Sequence, residues 1–127
     1  KRYVRLISYA MFGAHSKPLF YKLDILNIYD LCRYQILLFV FKSINCLLPS
    51  RYTNYFTFTK EMYRYQTRSS KDRKLLTATA QRSARINTLA SRGPKCWNSL
   101  PTTIRSSLSQ RTFKTSVKAH FLSQYID

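Results

Sequence analysis

The side chains able to do chemistry are few and dispersed. The carboxylates are Asp24, Asp30, Glu61, Asp72 and Asp127, and they form no D-D pair and no E-x-x-H. Phosphoryl transfer by two metal ions needs carboxylates that converge on one site, so neither polymerase nor nuclease chemistry is written here. Cys32, Cys46 and Cys96 are odd in number, widely spaced and without a C-x-x-C, while His15 and His120 lie in separate segments. That pattern argues against a zinc site and a disulfide framework, and it fits a reducing compartment. A nucleophilic pair of Cys96 with His15 or His120 is compatible with the composition, but a cysteine is more often just a small buried residue. The expectation is a chain that is no enzyme by itself, with no catalytic residues, no metal and no cofactor.

What the sequence does supply is positive charge. It has 22 Lys and Arg against 5 Asp and Glu, a net charge of +17 over 127 residues. Such a field repels itself unless a polyanion neutralises it. Nucleic-acid phosphate is the natural partner, because each neutralised phosphate also releases condensed counterions; a membrane surface or an acidic protein are the other anionic partners. Between residues 60 and 95, ten basic residues stand against Glu61 and Asp72, a local net of +8. Tyrosines are interleaved there, and Lys and Arg can track a backbone while aromatic rings stack on bases. The candidate phosphate contacts are Arg64, Arg68, Arg73, Lys74, Arg82 and Arg85. Lys114 and Lys118 join them from the last helix, where they cluster with Arg111. The plain alternative for the middle is a solvated loop whose tyrosines pack on the core, and for the helix an ordinary exposed face.

The elements that position these residues are mainly helical. Val4, Ile7 and Met11 follow helical spacing over residues 1–12, with Gly13 as the expected end. Pro18 sits near the start of a short helical turn carrying Leu19, Phe20 and Leu23. Residues 28–48 hold the strongest pattern: Leu31, Tyr34, Leu38, Phe41, Ile44 and Leu48 recur every three or four positions, Asn27 is the expected N-cap, and Pro49 the expected stop. Ile36, Leu37, Phe39 and Val40 make this helix apolar on most sides, hence central. Its run ILLFVF, residues 36–41, is far short of the roughly 20 residues a membrane span needs. Residues 63–66 and 85–90 are candidate strands of one twisted hairpin, with a mobile loop at 69–81 between them. The last helix is expected over 110–126, with Ser109 as N-cap, a hydrophobic staple between Leu108 and Phe113, and a stripe of Phe113, Val117, Phe121 and Tyr125.

The stretch GPKCWNSLP, residues 93–101, gathers the one tryptophan, one of two glycines and two of four prolines. It predicts a structural corner: Gly93 for a backbone conformation closed to other residues, Pro94 in the first turn of a helix, Trp97 buried, Pro101 ending the element. Phe41 and Phe113 are the other expected core anchors. The fold class expected is mainly α: a small helical domain around a central buried helix, with room for one short β-hairpin. It divides into a helical part (1–58), a basic loop or hairpin (59–92) and a second helical part (93–127).

The blocks HSKPLFYKLDILNIYDLCRYQILLFVFKSINCLLP, YRYQTR and RGPKCWNSLPTTIRSSLSQRTFKTSVKAHFLSQY, in that order, resemble the C-terminal region of reverse transcriptases of LINE-type non-LTR retrotransposons, jockey-like mobile elements among them. The resemblance runs from about Arg5 to Tyr125 and is strongest at positions such as Pro18, Pro49, Gly93, Trp97, Asn98 and Pro101. It implies a single domain, 1–127, running from the thumb into the extension after the polymerase. Such polyproteins carry an endonuclease and an RNA-directed DNA polymerase that copies element RNA onto a nicked target. The Y-x-D-D motif, the endonuclease carboxylates and a Cys/His zinc knuckle are absent from this sequence, and between residues 60 and 81 only YRYQTR matches well. The implied role is therefore non-catalytic, gripping template RNA, hybrid or target DNA beside the upstream polymerase core, in nucleus and cytoplasm and away from membranes. The alternatives are a module that packs on the same polymerase without touching nucleic acid, and a degenerate element remnant. A chain that starts at Lys1 instead of Met is expected to be a piece of a longer product.

Overall fold

A computed structural model describes residues 1–62, 72–77 and 86–126. Eight helices are named in chain order: α1 (Arg2–Ile7), α2 (Ser16–Lys22), α3 (Ile28–Ile44), α4 (Ser50–Thr53), α5 (Thr59–Met62), α6 (Leu89–Asn98), α7 (Thr102–Arg105) and α8 (Gln110–Ser123). Among the described residues the β pairing is a single isolated antiparallel bridge, Phe58 to Leu75. The expected strand at 63–66 lies outside the described residues, and Leu89 and Ala90 of the other expected strand are helical.

The central helix is α3, as its pattern requires. Asn27 caps it, its Oδ1 accepting from the amides of Tyr29 (2.9 Å) and Asp30 (3.0 Å), a contact of about 1 kcal/mol. Leu37, Leu38, Val40, Phe41 and Ser43 are buried, while the first turns leave Ile28, Tyr29 and Leu31 exposed, so the cover is one-sided at the start. The helix ends at Ile44, four residues before the expected end, and Pro49 is not what stops it. Cys46 takes a left-handed conformation (φ 54°). Its amide donates to Ser43 O (3.3 Å) and the amide of Leu47 to Lys42 O (2.9 Å), the paired bonds of a Schellman turn. The same turn ends α1 at Tyr9 and α2 at Asp24, with φ of 51° and 54°. Gly13 therefore plays no part in stopping α1.

Three aromatic rings join the long helices. Trp97 of α6 stacks on Phe113 of α8 (centroids 5.7 Å), which stacks on Phe41 of α3 (4.4 Å). The stripe Phe113, Val117, Phe121 and Tyr125 is buried throughout, with Leu122 beside it. Ser109 occupies the N-cap of α8, but no side-chain bond is made there. Leu108 is 92% exposed, so the expected staple with Phe113 does not form. At the other end the helix stops at Ser123 and Ile126 is exposed.

The GPKCWNSLP corner sits differently from its sequence reading. α6 starts at Leu89, so Gly93 and Pro94 are in its interior and Pro94 is not in the first turn. Gly93 has no positive φ; its value is space. A Cβ there would stand 2.8 Å from Phe56 Cε1 and 3.1 Å from Val40 Cγ2, so the missing side chain lets α6 lie close on α3. Pro101 is the N-cap of α7, so it opens the next helix.

Candidate nucleic-acid interface

Residues 73–75 are held by two side chains of α6. The Trp97 indole N–H donates to Arg73 O (2.9 Å), and the Asn98 amide both accepts from Leu75 N (2.8 Å) and donates to Leu75 O (2.8 Å). From the opposite side the amides of Thr59 and Leu76 bond Lys74 O (3.0 Å) and Thr57 O (2.9 Å). Leu75 is consequently 2% exposed, inside the core. The expected loop at 69–81 is thus anchored over residues 73–76, and the remainder, apart from 72 and 77, lies outside the described residues.

Of the expected phosphate contacts, Arg64, Arg68, Arg82 and Arg85 lie outside the described residues. Arg73 is half-buried, its backbone pinned by Trp97 at φ 52°. Lys74 Nζ stands 3.9 Å from Asp72, and Lys118 is ion-paired with Asp24. Lys114 and Arg111 are exposed on α8. Of the described four, two are therefore ion-paired and Lys114 is exposed without a salt bridge. The structural residues fare otherwise: Gly93, Pro94, Trp97, Phe41 and Phe113 are all buried at the junction of α3, α6 and α8.

A different constellation does converge. A cavity of about 400 Å³ opens where α3, α6 and α8 meet, lined by Arg33 and Leu37 of α3, Lys95 and Cys96 of α6, Ser99 and Leu100 just after it, and His120, Phe121 and Gln124 at the end of α8. Arg33 Nη1 is 3.8 Å from Asp30 Oδ1, beyond hydrogen-bond distance, and its side chain is 55% exposed. Asp30 Oδ2 is already engaged by the Tyr125 hydroxyl (2.6 Å) and by Asn27 Nδ2 (2.7 Å). Burial and the donated bond to Asp30 push the Tyr125 phenol up to about 12. Arg33 is thus paired with Asp30 by charge, without a hydrogen bond to that carboxylate. His120 Nε2 lies 3.4 Å from Gln124 Nε2. The sequence reading did not place Arg33, Lys95 and His120 together, because only the packing of three helices joins them. Helical spacing of Arg92, Lys95 and Ser99 was the one local sign of a polar face.

One cation is withdrawn from any ligand. Arg105 is 4% exposed, its Nη2 3.2 Å from Thr102 Oγ1, while Nε and Nη1 have no hydrogen-bond partner. Among the described residues no group of three or more His, Cys, Asp and Glu could hold a metal ion, and no helix is long and apolar enough to cross a membrane. Comparisons with models of protein families, with curated proteins and with solved structures gave no match.

Proposed function

We propose that this chain is the non-catalytic, nucleic-acid-binding C-terminal portion of a LINE-type retrotransposon RNA-directed DNA polymerase. It grips the backbone of template RNA, an RNA/DNA hybrid or target DNA for a polymerase core that performs the synthesis. The observation that carries the reading is charge left without a counterpart. The chain has a net charge of +17, yet among the described residues only Arg33, Lys74 and Lys118 form salt bridges. A fold that leaves its cations uncovered gains when a polyanion covers them. The family assignment rests on the three ordered sequence blocks. That this piece performs no synthesis alone rests on the sequence, whose five carboxylates form no D-D pair and no E-x-x-H. The three cysteines are free thiols, as suits a reducing compartment.

One observation favours the packing module instead. Tyr3, Leu6, Ile7, Tyr9, Met11 and Phe12 are exposed together at the start of the chain, an apolar surface of the kind that meets another protein. Filter binding of the 127-residue chain to single-stranded RNA in dilute buffer separates the two readings. Retention of the RNA is expected; a protein that is folded by circular dichroism yet retains none supports packing and overturns the binding role.

A further inference from the structure

We infer that the cavity between α3, α6 and α8 seats one unpaired nucleotide of a single strand, with its phosphate on Arg33 and Lys95. This deepens the nucleic-acid reading above and rests on it. The lining has two characters. Arg33 and Lys95 stand at exposed positions on facing helices, and no carboxylate lines the cavity. The floor is apolar, made by the buried Leu37, Leu100 and Phe121. A phosphate needs the first feature and a sugar or base the second, and about 400 Å³ falls within the roughly 300–1,000 Å³ of small-ligand sites.

An aliphatic and aromatic floor beneath a cationic rim suits a nucleotide better than a bare ion, which has no use for Leu37 or Phe121. Gln124 adds a side-chain amide N–H on the α8 side. A paired base cannot enter without leaving its stack. The cavity therefore favours a single strand or a frayed end over a closed duplex.

Cys96 reports on occupancy, because it lines the cavity and is half-buried, whereas Cys32 and Cys46 are exposed elsewhere. In a Cys32→Ser/Cys46→Gly background, Cys96 is alkylated with iodoacetamide, and the rate is compared with and without a single-stranded oligoribonucleotide at ten times its measured Kd. A roughly tenfold slower reaction is expected from mass action, while a blunt duplex of the same length leaves the rate little changed. Arg33→Glu/Lys95→Glu is expected to remove the protection. Lys17→Glu/Lys22→Glu, the same charge change on α2, is expected to keep it once the strand is bound.

A strand that binds while Cys96 reacts at its free rate overturns the cavity assignment and leaves the wider reading standing. A Cys96 that does not react in the free protein shows a closed cavity and overturns it equally. If no oligonucleotide binds at any salt, the wider reading falls and the cavity assignment with it. Should the charge-reversed cavity pair fail to fold, protection in the parent background decides alone.

Discussion

The two ends of this chain are built on opposite terms. At the junction of α3, α6 and α8, Trp97, Phe113 and Phe41 stack into one column, and Trp97 and Asn98 use their polar atoms to hold residues 73–75. At the start of the chain, α1 buries only Val4 and α2 buries nothing fully, although that region carries Tyr3, Leu6, Ile7, Met11 and Phe12. Arg5 Nε on Ala14 O (2.8 Å) is the side-chain bond that ties α1 to the approach to α2. Apolar content alone therefore does not make a core. What makes one here is that the rings of Trp97 and Phe113 meet partners on other helices and that Trp97 also satisfies its indole N–H.

The comparison breaks most visibly at Trp97. Trp97→Ala removes the stack and the bond to Arg73 and is expected to cost about 3–5 kcal/mol, whereas Phe12→Ala, at an exposed position, is expected to change stability by about 0.5 kcal/mol or less. Urea unfolding of both variants checks the contrast, and equal losses would abolish it. Gly93→Ala is next, at about 1–3 kcal/mol, because the new methyl meets the Phe56 ring and Val40. Phe56→Leu in the same chain should recover part of that loss if close approach is the cause.

Tyr125→Phe deletes the hydroxyl shared by Asp30 and Asn27 N and is expected to cost about 1–2 kcal/mol near neutral pH. Its pH dependence has a defined sign. The phenol is raised from 10.0 to about 12 in the folded protein, so its contribution is complete below pH 10 and is lost as pH rises from 10 towards 12. The gap between wild type and variant should narrow across that window, and a constant gap would mean that the hydroxyl is not held as described. The smallest effect is a gain: Cys46→Gly suits the left-handed turn after α3 and is expected to stabilise by about 1 kcal/mol. A loss there would show that the Cys46 side chain does more than occupy the turn.

Much of the junction was legible in the sequence. The period of α3, the Asn27 cap and the stripe from Phe113 to Tyr125 are local features, and local features state themselves in residue spacing. The C-terminal ends of α1, α2 and α3 were not legible, since Tyr9, Asp24 and Cys46 adopt a conformation that sequence reading reserves for glycine, at a cost of only about 1 kcal/mol each. Gly93 was expected to serve a special backbone angle and instead serves contact with Phe56 and Val40, partners a sequence does not reveal. Leu75 looked like part of a loop because its bonds come from Asn98, 23 positions on. The candidate site was less legible than the core. Basic residues were easy to count, but their arrangement depends on which carboxylates intercept them, as Asp24 intercepts Lys118, and on helix packing that brings Arg33 to Lys95.

The claim that the uncovered cations exist to hold a phosphodiester backbone is tested most directly by the binding constant of the 127-residue chain for single-stranded RNA across a salt series. The account predicts that log K falls linearly with log salt, by about 0.7 for each phosphate held. Binding that does not change with salt, or none at all in dilute buffer, would contradict it.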